Sequence, residues 1–241
     1  MNNLLVDIGN SSMKYSFAHS LRLGTIGHYS GQGVLNHLIE AIAQKRVESI
    51  AISSVRNFPK GYFAPLKKFS KSLILVEEEL NMPHLANYRS PETLGADRVM
   101  GTLAAIALFP KRDLILFDFG TALTVDLIDF ERHFVGGNIS PGFDSRFEIL
   151  HSSTGLLPRV TGGDSLKPYG TSTQEAIENG VALSLLYEVE GYLREYPTHL
   201  PIFTGGDAIY FAKKMKSTIF VVYNLVLMGL AHLAIDYANK K

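Results

Sequence analysis

The sequence predicts an α/β protein of two similar lobes, each built around a mixed sheet. A motif of an apolar run, Asp-x-Gly and small polar residues occurs twice, at residues 4–15 and 114–126. The two Asp-x-Gly turns lie 111 residues apart in a chain of 241 residues, close to half its length. In both halves, strand-like runs precede alternating helical and strand-like patterns, which is typical of α/β folds. Each motif is therefore expected to open one lobe.

The first lobe, residues 1–110, is predicted to begin with three antiparallel strands. Short apolar runs separated by turn residues indicate these strands. A helix, two further strands and a second helix follow, and the second helix ends before Pro110 because proline cannot continue a helix. In chain order, these elements are expected at residues 3–8, 12–18, 21–29, 33–46, 48–53, 72–76 and 96–108.

The second lobe, residues 111–241, repeats this order. Three strands are expected first, and three helices follow with one strand between the last two. Apolar residues recur at helical spacing in the long helix, which indicates a core face or a dimer face. The expected strands are 113–118, 122–129, 133–139 and 200–204, and the expected helices are 142–151, 173–195 and 224–239.

Composition excludes several classes of function. The chain has 23 basic and 23 acidic residues, so a broad electrostatic nucleic-acid surface is not expected. It has no cysteine, which excludes thiolate metal sites and catalytic thiols. The apolar stretch 221–235 is too short to span a bilayer, and no secretory signal is visible. We therefore expect a cytoplasmic protein without a membrane or nucleic-acid partner.

Asp7 and Asp118 each stand where a predicted strand enters a tight turn. One Asp in such a place is often a turn former that bonds its own backbone. Two at matching positions of a repeat favour a shared function, because turn N–H groups and hydroxyls bind phosphate and a carboxylate holds a hydrated cation. Lys14 follows the first turn and is placed to reach a phosphate, although most strand lysines are solvated. Thr121 is the matching hydroxyl of the second turn.

The segment Gly95-Ala96-Asp97-Arg98 opens the helix predicted at residues 96–108. An Asp in a first helical turn complements the helix dipole without any further role. Alternatively, Asp97 accepts a proton from a substrate hydroxyl while Arg98 binds a substrate carboxylate. The residues alone leave both interpretations open.

Glycine-rich segments at residues 136–142 and 204–207 follow predicted strands. They are either loop punctuation or places where the backbone approaches a ligand closely. The segment 170–175 has the pattern of a capping box at a helix start, which is about as good an explanation of Thr173 as ligand binding. Walker, Rossmann, zincin and nucleophile-elbow motifs are absent from the sequence.

Together these motifs resemble the type III pantothenate kinases, a family of the acetate and sugar kinase/Hsp70/actin superfamily. The resemblance runs from Asp7 to about Asp207, and the Gly-Ala-Asp-Arg element separates this family from its relatives. It implies two ribonuclease H-like lobes, the duplication of actin-like ATPases, and a ligand cleft between the lobes.

The resemblance also implies the site and its partners, which are ATP with Mg²⁺, pantothenate and a second copy of the chain in a homodimer. Asp97 would be the general base, and Asp118 would hold a monovalent cation, potassium or ammonium. ATP would be bound by Asp7, Ile8, Gly9, Asn10, Ser11, Ser12, Met13, Lys14 and Thr121. Pantothenate would be bound by Tyr88, Gly95, Ala96, Asp97, Arg98 and Thr173.

The chain departs from the family pattern at three positions. Ser11 replaces the usual Thr and keeps its hydroxyl, whereas Leu123 and Ser172 stand where Thr and Asn are common. Two alternatives remain: another small-molecule kinase of the superfamily, which would not need the Gly-Ala-Asp-Arg element, and a non-catalytic regulatory relative. Asp97, Arg98 and both turn aspartates argue against the second.

Overall fold

A computed structural model of the chain describes residues 2–43, 45–79, 82–163 and 166–240. The chain divides into two compact units. The first unit runs to Lys111 and adds Arg132–Phe134 and the chain from Asn224 onward. The second unit comprises Arg112–Glu131 and Val135–Tyr223.

The first unit contains a five-stranded mixed sheet with the strand order β3-β2-β1-β4-β5. Strand β1 pairs antiparallel with β2 and parallel with β4. Short 3₁₀ helices follow β4 and β5. The elements are β1 Asn2–Ile8, β2 Met13–His19, β3 Arg22–Tyr29, α1 Val34–Ile42, β4 Val47–Ser54, β5 Ser70–Leu75 and α2 Ala96–Leu108, with α6 Leu225–Asn239 from the end of the chain.

Each predicted element of this unit is present, but α1 is shorter than the predicted helix 33–46. Its buried stripe of Val34, Leu38 and Ile42 ends at Ile42, and the polar residues beyond offer no apolar face to pack. Gln44 lies outside the described residues.

The two faces of the first sheet pack against different helices. Leu4, Val6 and Ile8 share a fully buried core with α1, while Leu5 shares one with residues of α2 and α6. Side chains alternate along a strand, so Asp7 points to the same face as Leu5. Asp7 and the helix that carries Asp97 therefore lie on the same side of this sheet.

The C-terminal helix α6 packs on α2 within the first unit. A Cβ atom added to Gly229 would lie 2.0 Å from the Met100 carbonyl oxygen, so a glycine is required where the two helices cross.

The division into lobes 1–110 and 111–241 stays a prediction. Residues 224–240, however, pack with the first unit, because the apolar face of α6 covers α2 and β1.

The second unit repeats the first sheet in the order β8-β7-β6-β9-β10. Strand β6 pairs antiparallel with β7 and parallel with β9, as β1 does with β2 and β4. The predicted α/β fold with two mixed sheets is thus confirmed. The elements are β6 Leu114–Phe119, β7 Ala122–Ile128, β8 Phe134–Pro141, α3 Phe143–Ser153, α4 Thr173–Glu195, β9 Leu200–Gly205, α5 Ala208–Ala212 and β10 Phe220–Val221.

Aromatic rings fill much of the core between the second sheet and its helices. Phe117, Phe119 and Phe203 come from β6 and β9, and Phe211 of α5 stacks on Phe119 at 5.0 Å between ring centroids. Because side chains alternate, Asp118 lies on the opposite face of the sheet from these rings. The helices in the described part of the chain are each too short or too polar to span a bilayer.

Candidate functional site

The first Asp-x-Gly motif forms a tight turn between β1 and β2. The Gly9 N–H donates to the Ser12 carbonyl oxygen at 2.9 Å, and the side chains of Asn10 and Ser11 are exposed. Ile8 and Met13 are fully buried, so they hold the turn in place and only their backbone is available to a ligand.

Asp7 occupies the middle of a row of three polar residues across the first sheet. It pairs with Lys14 on β2 and with Ser53 on β4, and paired residues project from the same face. The Ser53 hydroxyl is buried, and no described residue forms a hydrogen bond with it. The row thus offers an ammonium group, a carboxylate and an unused hydroxyl beside the turn.

The second motif repeats this arrangement in the second unit. Asp118 pairs with Thr124 on β7 and with Thr204 on β9, and the Gly120 N–H donates to the Ala122 carbonyl at 3.1 Å. The buried Thr124 hydroxyl also lacks a hydrogen-bond partner among the described residues. The second row is therefore a carboxylate flanked by two hydroxyls, without the lysine of the first.

Two glycine-rich segments lie against the second turn. The Gly142 N–H donates to the Thr121 carbonyl oxygen at 3.0 Å, and the Ser145 hydroxyl donates to the same oxygen at 2.7 Å. A Cβ atom at Gly205, whose φ is +93°, would lie 2.5 Å from Asp118 Oδ1. Gly142 and Gly205 thus allow these segments to pack closely on the second turn, and close approach of their backbone to a ligand stays a prediction. At Gly136, by contrast, no atom of the described residues lies within 4 Å of an added Cβ.

Carboxylates accumulate beside the second turn. The Asp207 N–H donates to the Phe119 carbonyl at 3.3 Å, which brings the end of the β9 loop to the turn. Burial raises the pKa of the Asp207 carboxyl, and repulsion from Asp144 raises that pKa further. A group of neighbouring carboxylates beside the second turn suits a bound cation better than an additional anion.

Asp97 lies in the first turn of α2, as predicted. Its Oδ1 accepts a hydrogen bond from the Arg98 backbone N–H at 2.8 Å, and the side chain is only partly exposed. Burial raises the pKa of Asp97, while the hydrogen bond and the charge of Arg98 oppose the rise. Such a carboxylate is a stronger base than a fully solvated one.

Phe134 connects the predicted pantothenate residues within the first unit. The guanidinium of Arg98 lies over its ring at 5.5 Å, and the Tyr88 ring packs against it edge-on at 5.0 Å. Phe134 is fully buried, and Arg98 is 8% exposed. The role of Phe134 was not predicted, because an apolar residue at the start of a strand gives no signal of a contact with distant side chains.

Thr173 is exposed at the start of α4 in the second unit. The Ser172 hydroxyl caps this helix by accepting from the Glu175 N–H at 3.2 Å. Glu175 accepts from the Thr171 N–H at 2.9 Å, and the Lys167 ammonium, with Thr171, lowers the pKa of Glu175 to about 2. The capping interpretation of this segment is confirmed, and contact of Thr173 with pantothenate stays a prediction.

An open groove of about 600 Å³ runs between α3 and α4. Arg146 braces one end of it: Nε donates to the Pro141 carbonyl at 2.8 Å, and the guanidinium forms an ion pair with Glu188. The apolar lining includes Ile149, Leu150, Leu157, Ala176, Ile177 and Val181.

Comparison with known proteins gives one consistent family. The sequence model of the type III pantothenate kinases matches residues 3–195. A type III pantothenate kinase of Bacteroides fragilis strain YCH46 is 34% identical over 242 residues, covering 98% of each chain.

Solved structures share the fold at low sequence identity. The activator of 2-hydroxyisocaproyl-CoA dehydratase from Clostridium difficile, solved with bound ADPNP, is 13% identical with a TM-score of 0.60, covering 100% of this chain and 96% of that one. The inorganic polyphosphate/ATP-glucomannokinase of Arthrobacter sp. strain KM is 12% identical with a TM-score of 0.52, covering 98% and 99%.

Proposed function

We propose that the two turns and the start of α2 carry out the reaction of the type III pantothenate kinases. This chain belongs to that family. The chain is a kinase that phosphorylates pantothenate in coenzyme A biosynthesis. The products are ADP and 4'-phosphopantothenate. The observation that carries the assignment of residues is the partly buried Asp97 at the start of α2, beside Arg98.

Asp97 is the general base of this proposal. Its carboxylate takes the proton of the pantothenate 4'-hydroxyl while that oxygen bonds to the γ-phosphorus of ATP and the bond from phosphorus to ADP breaks. Arg98 and Tyr88, held against Phe134, orient the acceptor, and Arg98 suits a carboxylate. Asp7 and Asp97 lie on the same side of the first sheet. This placement supports the binding of ATP phosphates at the first turn, on the side of the sheet where Asp97 lies.

The first turn binds phosphate in this proposal. The exposed backbone of Gly9, Asn10 and Ser11 is suited to an anion, and Lys14 adds a positive charge from the neighbouring strand. Mg²⁺ would neutralise phosphate charge. Asp7 and the unused Ser53 hydroxyl fit it, since both are oxygen donors of the kind that Mg²⁺ prefers.

Asp118 holds a monovalent cation in this proposal. The unused Thr124 hydroxyl and the hydroxyl of Thr204 flank it, and neutral and charged oxygens together fit potassium or ammonium. The cation would supply positive charge beside the ATP phosphates bound at Thr121.

Asp118→Asn is expected to abolish the dependence of activity on potassium, because the amide lacks the charge that retains the cation. Initial rates in potassium, ammonium and sodium chloride at constant ionic strength measure this. Glu195→Gln, an exposed acid at the end of α4 in the same unit, serves as the control and should keep the wild-type response. Equal activity of the wild-type protein in sodium and potassium would contradict the assignment.

A homodimer is part of the proposal, with the groove between α3 and α4 as its interface. Exposed apolar side chains support this, since Ile149 is 48% exposed at the groove. The wild-type protein should have twice the 26.6 kDa mass of one chain by light scattering. Ile149→Asp should lower the mass toward one chain, whereas Leu21→Asp, equally exposed in the first unit, should not.

The reaction itself is tested by ADP release from purified protein with ATP, Mg²⁺ and potassium, with and without pantothenate. Release that requires pantothenate supports the proposal. Release with another acceptor only would favour a different kinase of the superfamily, and no release would favour a regulatory relative. We also propose the cytoplasm as the location, where ATP and the substrate are available.

A further inference from the structure

Arg56 lies beside the first turn, in the loop that follows β4. Its Nε donates to the Gly9 carbonyl oxygen at 2.7 Å, the shortest of the three hydrogen bonds that fix its position. Its backbone N–H donates to the Ser54 hydroxyl at 3.1 Å, and that hydroxyl donates back to the Arg56 carbonyl at 3.0 Å. A compact local loop therefore aims this guanidinium at the turn.

Most of the hydrogen-bonding capacity of Arg56 is unused. Only Nε has a partner among the described residues, and no described carboxylate forms an ion pair with the guanidinium. The side chain is only partly exposed, so its charge is incompletely solvated. Both Nη groups are left to form the planar pair of donors that matches two oxygens of a phosphate.

The position of Arg56 places positive charge on both sides of the first turn. Strand β1 lies between β2 and β4, and Lys14 comes from β2 while Arg56 follows β4. Both side chains belong to the same edge of the sheet, since β1 ends, β2 begins and β4 ends there. Two cations at this edge favour an anion bound at the turn.

The repeat shows that this charge is specific to the first unit. Ser53 pairs with Asp7 as Thr204 pairs with Asp118, so Arg56 corresponds to Asp207 three residues farther along. Arg56 therefore lies beside the first turn, where the second turn has Asp207, whose backbone N–H donates to the Phe119 carbonyl oxygen. A structural role common to both turns would not require opposite charges at Arg56 and Asp207. Binding of phosphate at the first turn and of a cation at the second would require them.

We propose that Arg56 is a phosphate-binding residue of this kinase, which braces Gly9 through Nε and donates both Nη groups to a phosphate of ATP. The inference rests on the proposed function, in which the first turn binds ATP. It adds a residue outside the turn to the phosphate site. The ligand it recognises is a polyphosphate carried by a nucleotide, and the nucleoside is not part of the contact.

Calorimetric titration of MgATP and of adenosine tests the assignment. Arg56→Gln is expected to weaken ATP binding by about ten- to a hundredfold, the usual effect of losing hydrogen bonds to a charged group. Adenosine binding should change by less than about twofold, because the lost contact is to phosphate. Arg56→Lys should fall between the wild type and Arg56→Gln, since it keeps the charge and loses the planar pair of donors.

Arg46→Gln is the matched control, because Arg46 is exposed just before the opposite end of the same strand, and it should bind both ligands as the wild type does. Equal losses for ATP and adenosine in Arg56→Gln, or no loss, would overturn the inference and leave a bracing role only. If Arg56→Gln does not fold, the ratio of the affinities for ATP and adenosine in Arg56→Lys decides in the same way.

The experiment also separates this inference from the proposed function. Failure of the wild type to bind ATP would overturn both the inference and the phosphate role of the turn. ATP binding that is unaffected in both Arg56 variants would remove the role of Arg56 alone.

Discussion

Asp97→Asn is expected to lower kcat by about a hundred- to ten-thousandfold, the range over which a positioned general base contributes. The amide keeps the size of the side chain and the Oδ1 that accepts from the Arg98 N–H, but it cannot take a proton from the acceptor hydroxyl. ATP binding should be unchanged, because Asp97 belongs to the acceptor side of the proposed reaction. Steady-state kinetics with saturating ATP and pantothenate measure the effect.

The same change is expected to leave the stability at neutral pH equal or higher. Burial raises the pKa of Asp97 above its ordinary value, so the folded protein binds more protons than the unfolded chain between the two pKa values. The free energy of unfolding therefore falls as pH rises through that interval, and the cost is fully present above the folded-state pKa. Asparagine removes the cost, so the Tm difference should disappear at acidic pH.

Glu92→Gln provides the control for both measurements. Glu92 lies in the short 3₁₀ helix just before α2 and is exposed, so its loss should change neither kcat nor Tm. A kcat for Asp97→Asn within about tenfold of the wild type would exclude Asp97 as the base, since that is below the usual contribution of general base catalysis.

The sequence predicted the parts of the site that depend on local chemistry. Asp7 and Asp118 stand in tight turns after buried strands, because an apolar run, Asp and Gly encode that geometry within a few residues. Asp97 lies in the first turn of α2, because the helical pattern of residues 96–108 also begins at a local signal, Gly95. The pairing of these turns with β4 and β9 follows from the mixed sheets that the repeat predicted.

The sequence did not predict contacts between residues that are distant along the chain. Phe134 holds Tyr88 and Arg98 through ring contacts that no periodicity encodes. Arg56 reaches Gly9 from a loop 47 residues away. Helices as short as α5 and strands as short as β10 have too few residues to show a period, and α6 covers the first sheet by tertiary packing alone.

Gly142→Ala is expected to lower kcat/KM by about a hundredfold and to destabilise the protein by about 1–3 kcal/mol. The backbone at Gly142, with φ −71° and ψ 179°, is allowed for alanine, so the effect comes from space and not from conformation. The added Cβ would lie 2.0 Å from the Gly120 carbonyl oxygen and 2.8 Å from that of Thr121. Both atoms belong to the second turn, so either the turn or the start of α3 must move.

The displaced turn carries the proposed contacts of Thr121 with ATP and of Asp118 with the cation, and a shift of about 1 Å in such groups costs about a hundredfold. Gly155→Ala, on the loop after α3, is the matched control, because no atom in the described part of the chain lies within 4 Å of a Cβ there. Urea unfolding and initial rates on both variants separate stability from activity. A Gly142→Ala protein with wild-type kcat/KM would show that the second turn tolerates displacement, which would exclude Thr121 and Asp118 from closely positioned contact with the reacting phosphates.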